Sequence, residues 1–408
     1  MIPYGRQSIS EEDIAAVAAA LRGNLITQGP VVEAFERQFA EHVGAKHAVA
    51  VNNATCALQL AMRVAGIGPG DRVVTSPITF LASANAAVYL GATPDFADID
   101  AATYTLDPAA LARDWKPDTR AVVAVDYAGQ ACDLPAIARV AHARGAVVIG
   151  DACHAVGGAF HTETAPGRSW RLGGNPWADM TVFSFHPVKT MTTGEGGMLV
   201  TDRDDWAEQA RLLRTHGMVR DAGRFQLPAD DPVLGEKGPW YYEMQELGWN
   251  FRMTEFQAAL GLSQLRRLDG FLARRRDIVA AYNAGFADLD WVHVPRLRHT
   301  EDVGTASWHL YTLQVDFAAL GKTRVEVFKA LAAEGVIAHV LYIPVHLQPW
   351  YRKVYGYRPG KCPAAENFYA QAMSLPLFPA MEDSDVRHVI ATVRKLGREA
   401  AGTVGVAA

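Results

Sequence analysis

Val182-Phe183-Ser184-Phe185-His186-Pro187-Val188-Lys189-Thr190-Met191-Thr192-Thr193-Gly194-Glu195-Gly196-Gly197-Met198-Leu199 sets a single amine between two apolar runs. Val182 to Phe185 reads as a strand, the segment to Lys189 as a short turn, Thr192 to Gly197 as a glycine-rich loop and Met198-Leu199-Val200 as a returning strand. Lysines ordinarily stay in solvent, because desolvating an ammonium is costly. Held among buried strands, a lysine has its pKa pushed down and becomes a nucleophile suited to Schiff-base chemistry. A solvated turn lysine is the alternative, and the surrounding chain has to choose between the two.

Toward the N-terminus, Ala146-Val147-Val148-Ile149-Gly150 is an apolar strand that delivers Asp151. His47–Val51, Arg72–Ser76, Thr93–Ala97 and Ala121–Val125 also read as strands, with helical patterns between most of them. Such alternation implies right-handed crossovers and a mainly parallel sheet, whose ligands lie beyond the carboxyl ends of the strands. At Asn52-Asn53-Ala54-Thr55-Cys56-Ala57-Leu58 a strand runs directly into a helix. Amides and a hydroxyl at a helix N-terminus suit an anion, although Thr55 also fits a plain helix cap. Thr55, Asp151 and Lys189 each follow an apolar strand, so one cleft is expected to hold all three. An acid for a cationic ring nitrogen, hydroxyls for a phosphate and a lysine for a Schiff base are what pyridoxal 5′-phosphate requires. Spacing alone leaves Asp151 open as a turn acid, and the glycine loop as a turn.

At 408 residues the chain exceeds one ordinary core, so two domains are expected. It is 50% hydrophobic and 20% charged, as soluble globular proteins are. A net charge of −5 gives no electrostatic reason to expect nucleic acid or an anionic membrane as partner. No apolar run approaches the ~20 residues of a membrane span, and Met1–Arg6 lacks the charged start and apolar run of a signal peptide. Cys56, Cys132, Cys153 and Cys362 are far apart, which suggests neither a disulfide framework nor a metal site. A cytoplasmic enzyme is expected.

Ser10-Glu11-Glu12-Asp13 reads as a helix start, and Val32, Phe35, Phe39 and Val43 give Val31–Val43 an amphipathic face. Pro166–Trp177 and Arg220–Pro239 read as excursions. Thr254 to Asn283 predicts a long helix suited to connecting domains. Trp308–Val315, Arg324–Ala333, Val336–Leu341 and Asp385–Lys395 predict a compact α+β unit after it.

Seven stretches carry a family resemblance. They are Leu25-Ile26-Thr27-Gln28-Gly29-Pro30, Asn53–Leu58, Gly150-Asp151-Ala152-Cys153-His154-Ala155, Phe183–Lys189, Leu213-Arg214-Thr215-His216-Gly217-Met218, Gly248-Trp249-Asn250-Phe251-Arg252-Met253 and Met373-Ser374-Leu375-Pro376-Leu377. In this order the chain resembles the DegT/DnrJ/EryC1/StrS sugar aminotransferases, which have fold type I of the pyridoxal phosphate enzymes. The resemblance implies an α/β fold: a large, mixed but mainly parallel sheet domain at 1–264 that binds the cofactor, and a smaller C-terminal α+β domain at 265–408.

By position, Lys189 resembles the lysine that holds the cofactor covalently and later moves the proton. Asp151 resembles the acid that keeps the pyridine nitrogen protonated. Asn53, Ala54 and Thr55 match the phosphate-binding turn, with Ser184 a further phosphate contact. Phe80 matches the aromatic that stacks on the ring. His154 stands where many relatives have glutamine, beside the ring oxygen. Asn250 matches a residue that reaches the neighbouring subunit's phosphate, which implies a homodimer. The glycine loop is expected to permit close backbone approach at that subunit boundary.

Val125-Asp126-Tyr127-Ala128-Gly129, Ala259–Leu265 and Val345-His346-Leu347-Gln348-Pro349-Trp350-Tyr351 further resemble the family members of pseudaminic acid biosynthesis. The implied substrates are a UDP-linked 4-keto sugar and L-glutamate, used in a ping-pong exchange; the alternative is another nucleotide keto sugar, dTDP- or GDP-linked, with its ketone at C3 or C4. Arg220, Arg224, Lys237 and His346 are candidates for the substrate diphosphate, and His216 and Arg252 are further candidates within matched motifs. A dehydrase of this fold would carry histidine in place of Lys189. A non-catalytic regulator would ordinarily add a basic DNA-binding domain, and the net charge does not favour one.

Overall fold

The computed structural model describes residues 1–229 and 231–404, with side chains to residue 397. Seven strands form the main sheet: β1 (His47–Val51), β2 (Arg72–Thr75), β3 (Thr93–Phe96), β4 (Thr119–Val125), β5 (Val147–Asp151), β6 (Met180–Ser184) and β7 (Gly197–Thr201). Their order across the sheet is β1-β7-β6-β5-β4-β2-β3. β7 runs antiparallel to β1 and β6, and the remaining neighbours are parallel. Both faces are covered. Ala48, Ala50, Val122, Ala124 and Val148 face one core, and Val49, Val51, Ala121, Val123 and Ile149 the other. A sheet buried on both sides needs apolar residues at every position, which is why its strands read as unbroken apolar runs.

The helices include α1 (Glu11–Leu21), α2 (Pro30–Val43), α3 (Ala54–Val64), α4 (Ala82–Tyr89), α5 (Glu255–Phe286), and later in the chain Arg324–Ala333 and Asp383–Val404. Ser10 caps α1 in a reciprocal box with Asp13, and Thr254 caps α5 in the same way with Gln257. On the first face of the sheet, Phe39 of α2 meets Phe183 with ring centroids 5.1 Å apart, and Phe35 meets Phe185 at 5.4 Å. α2 starts after Gly29, which has no side chain to cap it. Glu255 supplies the cap from α5, its carboxylate accepting from the amides of Gly29, Val31 and Val32 at 3.0, 2.8 and 3.3 Å. A carboxylate also answers the positive end of the helix dipole.

α5 spans 32 residues and passes the expected 264/265 division without a break. Leu265, Leu268 and Leu272 pack in the first core, while Ile278, Val279, Tyr282 and Phe286 pack in the second. The second core lies beside a three-stranded antiparallel sheet of β8 (Val292–His293), β9 (Tyr311–Val315) and β10 (Ala372–Leu375). Buried Arg275 of α5 donates to the carbonyls of Trp308, His309 and Leu377. Ile2 is buried in the second core, and its backbone pairs with Gly335 and Ile337. An apolar side chain so near the chain's start is stabilised there by burial, not by its place in sequence.

The Pro166–Trp177 excursion contains Trp170–Arg171, which pairs with Ala159–Phe160. Among the described residues no helix is long and apolar enough to cross a membrane.

Candidate active site

Parallel strands bring their carboxyl ends to one edge. There β1 leads into Asn53, β6 ends at Ser184 and β5 at Asp151, while β7, entering in the opposite direction, begins at Gly197. Gly197 pairs with Val51 on one side and Ser184 on the other. Asn53, not Thr55, caps α3: its Oδ1 accepts from the Cys56 amide at 2.9 Å. Thr55 is thereby released from capping. Its hydroxyl has no hydrogen bond among the described residues, and neither Ala54 nor Thr55 precedes the first α3 hydrogen bond by chance: that bond, Ala57 N–H to Asn53 O, leaves their amides at the helix entrance. A Cβ at Gly197 would lie 2.6 Å from the Asn53 carbonyl carbon and 2.7 Å from the Ala54 nitrogen. The close approach expected of the glycine loop is therefore made within the chain, against this turn.

Asp151 is buried. Its Oδ2 accepts from Ser83 Oγ at 2.7 Å and its Oδ1 from the Cys153 amide at 3.2 Å. Ser83 lies in the first turn of α4, and its hydroxyl also meets that of Thr79 at 2.6 Å. Neither residue was marked by the sequence; each belongs to a small-residue segment with no distinguishing period. Asp126, at the end of β4, is fully enclosed, and burial pushes its carboxyl well above the usual range.

Lys189 is half-buried, and its Nζ has no hydrogen bond or ion pair among the described residues. Burial lowers its pKa against the opposing pull of Cys153 and Asp151. This is the desolvated amine that the apolar flanks implied. Phe80, on the loop after β2, is 56% exposed at the same edge of the sheet. Ser184 is buried, its Oγ accepting only a long contact from the His186 amide at 3.4 Å.

His154 departs from expectation. Its Nδ1 accepts the Ala128 amide at 3.2 Å and its Nε2 meets the Tyr342 hydroxyl at 3.0 Å. Both ring nitrogens are thus engaged inside the chain, so neither is free for the ring-oxygen contact that the resemblance implies. Burial, and after it the charge of Lys189, hold the imidazole well below its usual pKa and keep it neutral. His309 lies 4.5 Å away between centroids and is likewise held neutral by burial.

The diphosphate candidates fare differently. His346 is corrected: it is fully buried, with Nε2 2.9 Å from Glu366 Oε1 and its ring against Phe96, and it offers no exposed atom to a ligand. Lys237 is also committed within the chain, to the Leu227 carbonyl at 2.5 Å and between the rings of Phe225 and Tyr241. Arg224 pairs with Glu208 at 2.8 Å. Arg220 and His216 are exposed, and Arg252 is half-buried and bridged by its backbone to Val51. Asn250, bridged to Thr215, is exposed as well.

A doubly covered sheet with a lysine after β6 and a carboxylate at the end of β5 is the architecture of the fold type I pyridoxal phosphate transferases. The chain belongs to the DegT/DnrJ/EryC1/StrS aminotransferase family, whose model matches residues 7–394. It is 43% identical over 396 residues to the spore coat polysaccharide biosynthesis protein SpsC of Bacillus subtilis, covering 97% of each chain. PseC of Helicobacter pylori, an aminotransferase involved in the biosynthesis of pseudoaminic acid, superposes with a TM-score of 0.85 at 29% identity, over 98% of this chain and 99% of that one. Spr1654 of Streptococcus pneumoniae, solved in a PLP form, gives the same TM-score and identity, over 98% and 99%.

Proposed function

We propose that the protein is a pyridoxal phosphate-dependent aminotransferase that moves the amino group of L-glutamate to the C4 ketone of a nucleotide-linked 4-keto-6-deoxy sugar. The observation that carries this reading is Lys189, an amine with no partner among the described residues and a lowered pKa at the carboxyl edge of the sheet. The chain's own groups fit the cofactor's chemistry. The Thr55 hydroxyl, without a hydrogen bond among the described residues, the α3 entrance amides of Ala54 and Thr55, and Ser184 suit a phosphate. Asp151, held by Ser83, suits a protonated ring nitrogen, and exposed Phe80 suits stacking. When bound, the cofactor supplies an electron sink for the carbon that loses its proton.

As a neutral amine Lys189 would hold the cofactor, and its Nζ would take up the proton from the donor carbon and return it on the opposite half of the cycle. Its lowered pKa leaves more of it neutral near pH 7. Asp151, fixed by Ser83 and the Cys153 amide, would hold the cofactor through its ring nitrogen. Asn250, exposed on the single chain, serves the phosphate of a second subunit in a homodimer. Arg220, His216 and Arg252 remain the candidates for the sugar's diphosphate.

The particular substrate we propose is UDP-2-acetamido-2,6-dideoxy-β-L-arabino-hex-4-ulose, the keto sugar of pseudaminic acid biosynthesis; the likeness to PseC supports it. The higher identity to SpsC favours a second reading, in which the product is another amino sugar, destined for a polysaccharide. Borohydride reduction of the loaded protein followed by peptide mass spectrometry is expected to fix the cofactor on Lys189; a label on another residue rejects the site. The pyridoxamine form, mixed with 4-keto UDP-, dTDP- and GDP-sugars, is expected to turn over fastest with the UDP ketone. Fast reaction with a dTDP-sugar and none with the UDP ketone favours the second reading.

A further inference from the structure

The partners of the His154–Tyr342 pair fix the polarity of its hydrogen bond. Ala128 N–H can only donate, so His154 Nδ1 must be an acceptor without a proton. The ring is neutral, so its one proton is on Nε2. Nε2–H therefore donates to the Tyr342 oxygen, 3.0 Å away. That leaves the phenol's own hydrogen without an acceptor among the described residues. The phenol is kept protonated, since burial pushes its pKa well up and the nearby acids Asp151 and Cys153, with Tyr127 and Tyr4, push the same way. Its ring is stacked on His154 at 5.9 Å and 23°, and approaches exposed Phe80 at 6.0 Å.

We propose that Tyr342 is a ligand-facing hydrogen-bond donor, its hydroxyl turned by His154 so that the O–H points to an anionic oxygen bound beside Phe80. His154 is a positioning residue, acting through Tyr342. The inference rests on the reading of this cleft as the pyridoxal phosphate site. There the anionic oxygen belongs either to the cofactor ring or to a carboxylate of the amino donor. Both are met by the same chemistry, a neutral O–H donor to an oxyanion, which is a strong charge-assisted bond.

The test uses the full-length protein loaded with pyridoxal phosphate. The wild type must first show the bound cofactor's absorbance, and its absence would sink the reading of the cleft and not merely the role of Tyr342. In Tyr342→Phe the ring and its packing are retained, and unchanged far-ultraviolet circular dichroism checks the fold. If the oxygen is the cofactor's, the pH titration of the bound cofactor's absorbance moves up by about one unit, because the anion loses a donor. If it is the donor's carboxylate, that titration stays put and half-saturation by L-glutamate, read from the absorbance change, rises about tenfold. Tyr342→Phe with neither change overturns the proposal. His154→Gln retains one donor and one acceptor and is expected to keep the wild-type values, whereas His154→Leu reproduces the Tyr342→Phe change. Equal behaviour of the two His154 variants would overturn the positioning role.

Discussion

Ser83 Oγ donates to Asp151 Oδ2 at 2.7 Å, so a helix that follows β2 aims the acid at the end of β5. The same hydroxyl is anchored by Thr79. Ser83→Ala removes a hydrogen bond to a charged group, worth about 1.5–3 kcal/mol, and leaves the carboxylate free to turn. Equilibrium dialysis is expected to show pyridoxal phosphate affinity falling about tenfold or more, together with a modest fall in the protein's melting temperature. Unchanged affinity would show that the Cys153 amide alone suffices to hold Asp151.

Gly197 lets β7 start against the Asn53–Ala54 turn, where a Cβ would meet backbone at 2.6 Å. Backbone cannot swing aside as a side-chain tip can. Gly197→Ala should therefore cost about 1–3 kcal/mol of stability and distort the proposed phosphate turn. Thermal unfolding without cofactor reads the first effect, and the concentration of pyridoxal phosphate needed for half-loading reads the second.

Lys189 has a pH signature in the cofactor-free protein. An unfolded lysine titrates near ~10.4, and folding lowers that value here. Between the lowered folded value and ~10.4 the unfolded chain binds more protons, so stability rises with pH across that window. Below the window the partly desolvated ammonium makes its full destabilising contribution. Lys189→Met, which keeps the length and loses the charge, should melt above the wild type at pH 7, and the gap should shrink as pH approaches ~10.4. A gap that grows with pH would contradict the desolvated amine.

Glu243 organises the second excursion: its carboxylate accepts from the amides of Gln226 and Leu227, the Tyr241 hydroxyl and the Gln245 amide. These donors hold its pKa at about 2 against the opposing effect of burial. Because the folded value is depressed, the stabilisation is present above the ordinary glutamate range and is lost as pH falls toward about 2. Glu243→Gln should speed cleavage within 220–245 in limited proteolysis at pH 7, with cleavage elsewhere unchanged. The wild-type segment should remain resistant down to about pH 4, near the unperturbed glutamate pKa.

Sequence by itself determined whatever depends on local composition and period. The apolar runs flanking Lys189 and preceding Asp151 specified buried strands, because a sheet covered on both faces admits apolar residues throughout. Ser10 and Thr254 specified helix starts through their capping boxes. The ordered motifs specified the family. Tertiary structure decided where remote groups meet, since a hydrogen bond across hundreds of residues leaves no local pattern. It put Glu255 on the start of α2, Ile2 in the second core and Ser83 on Asp151. It also enclosed His346, whose loop gave no sign of the Glu366 partner, and engaged both nitrogens of His154. The lysine was legible because its neighbours in sequence are its neighbours in space. The polar partners of the acid and the imidazole were not, because folding brings them from other strands and loops.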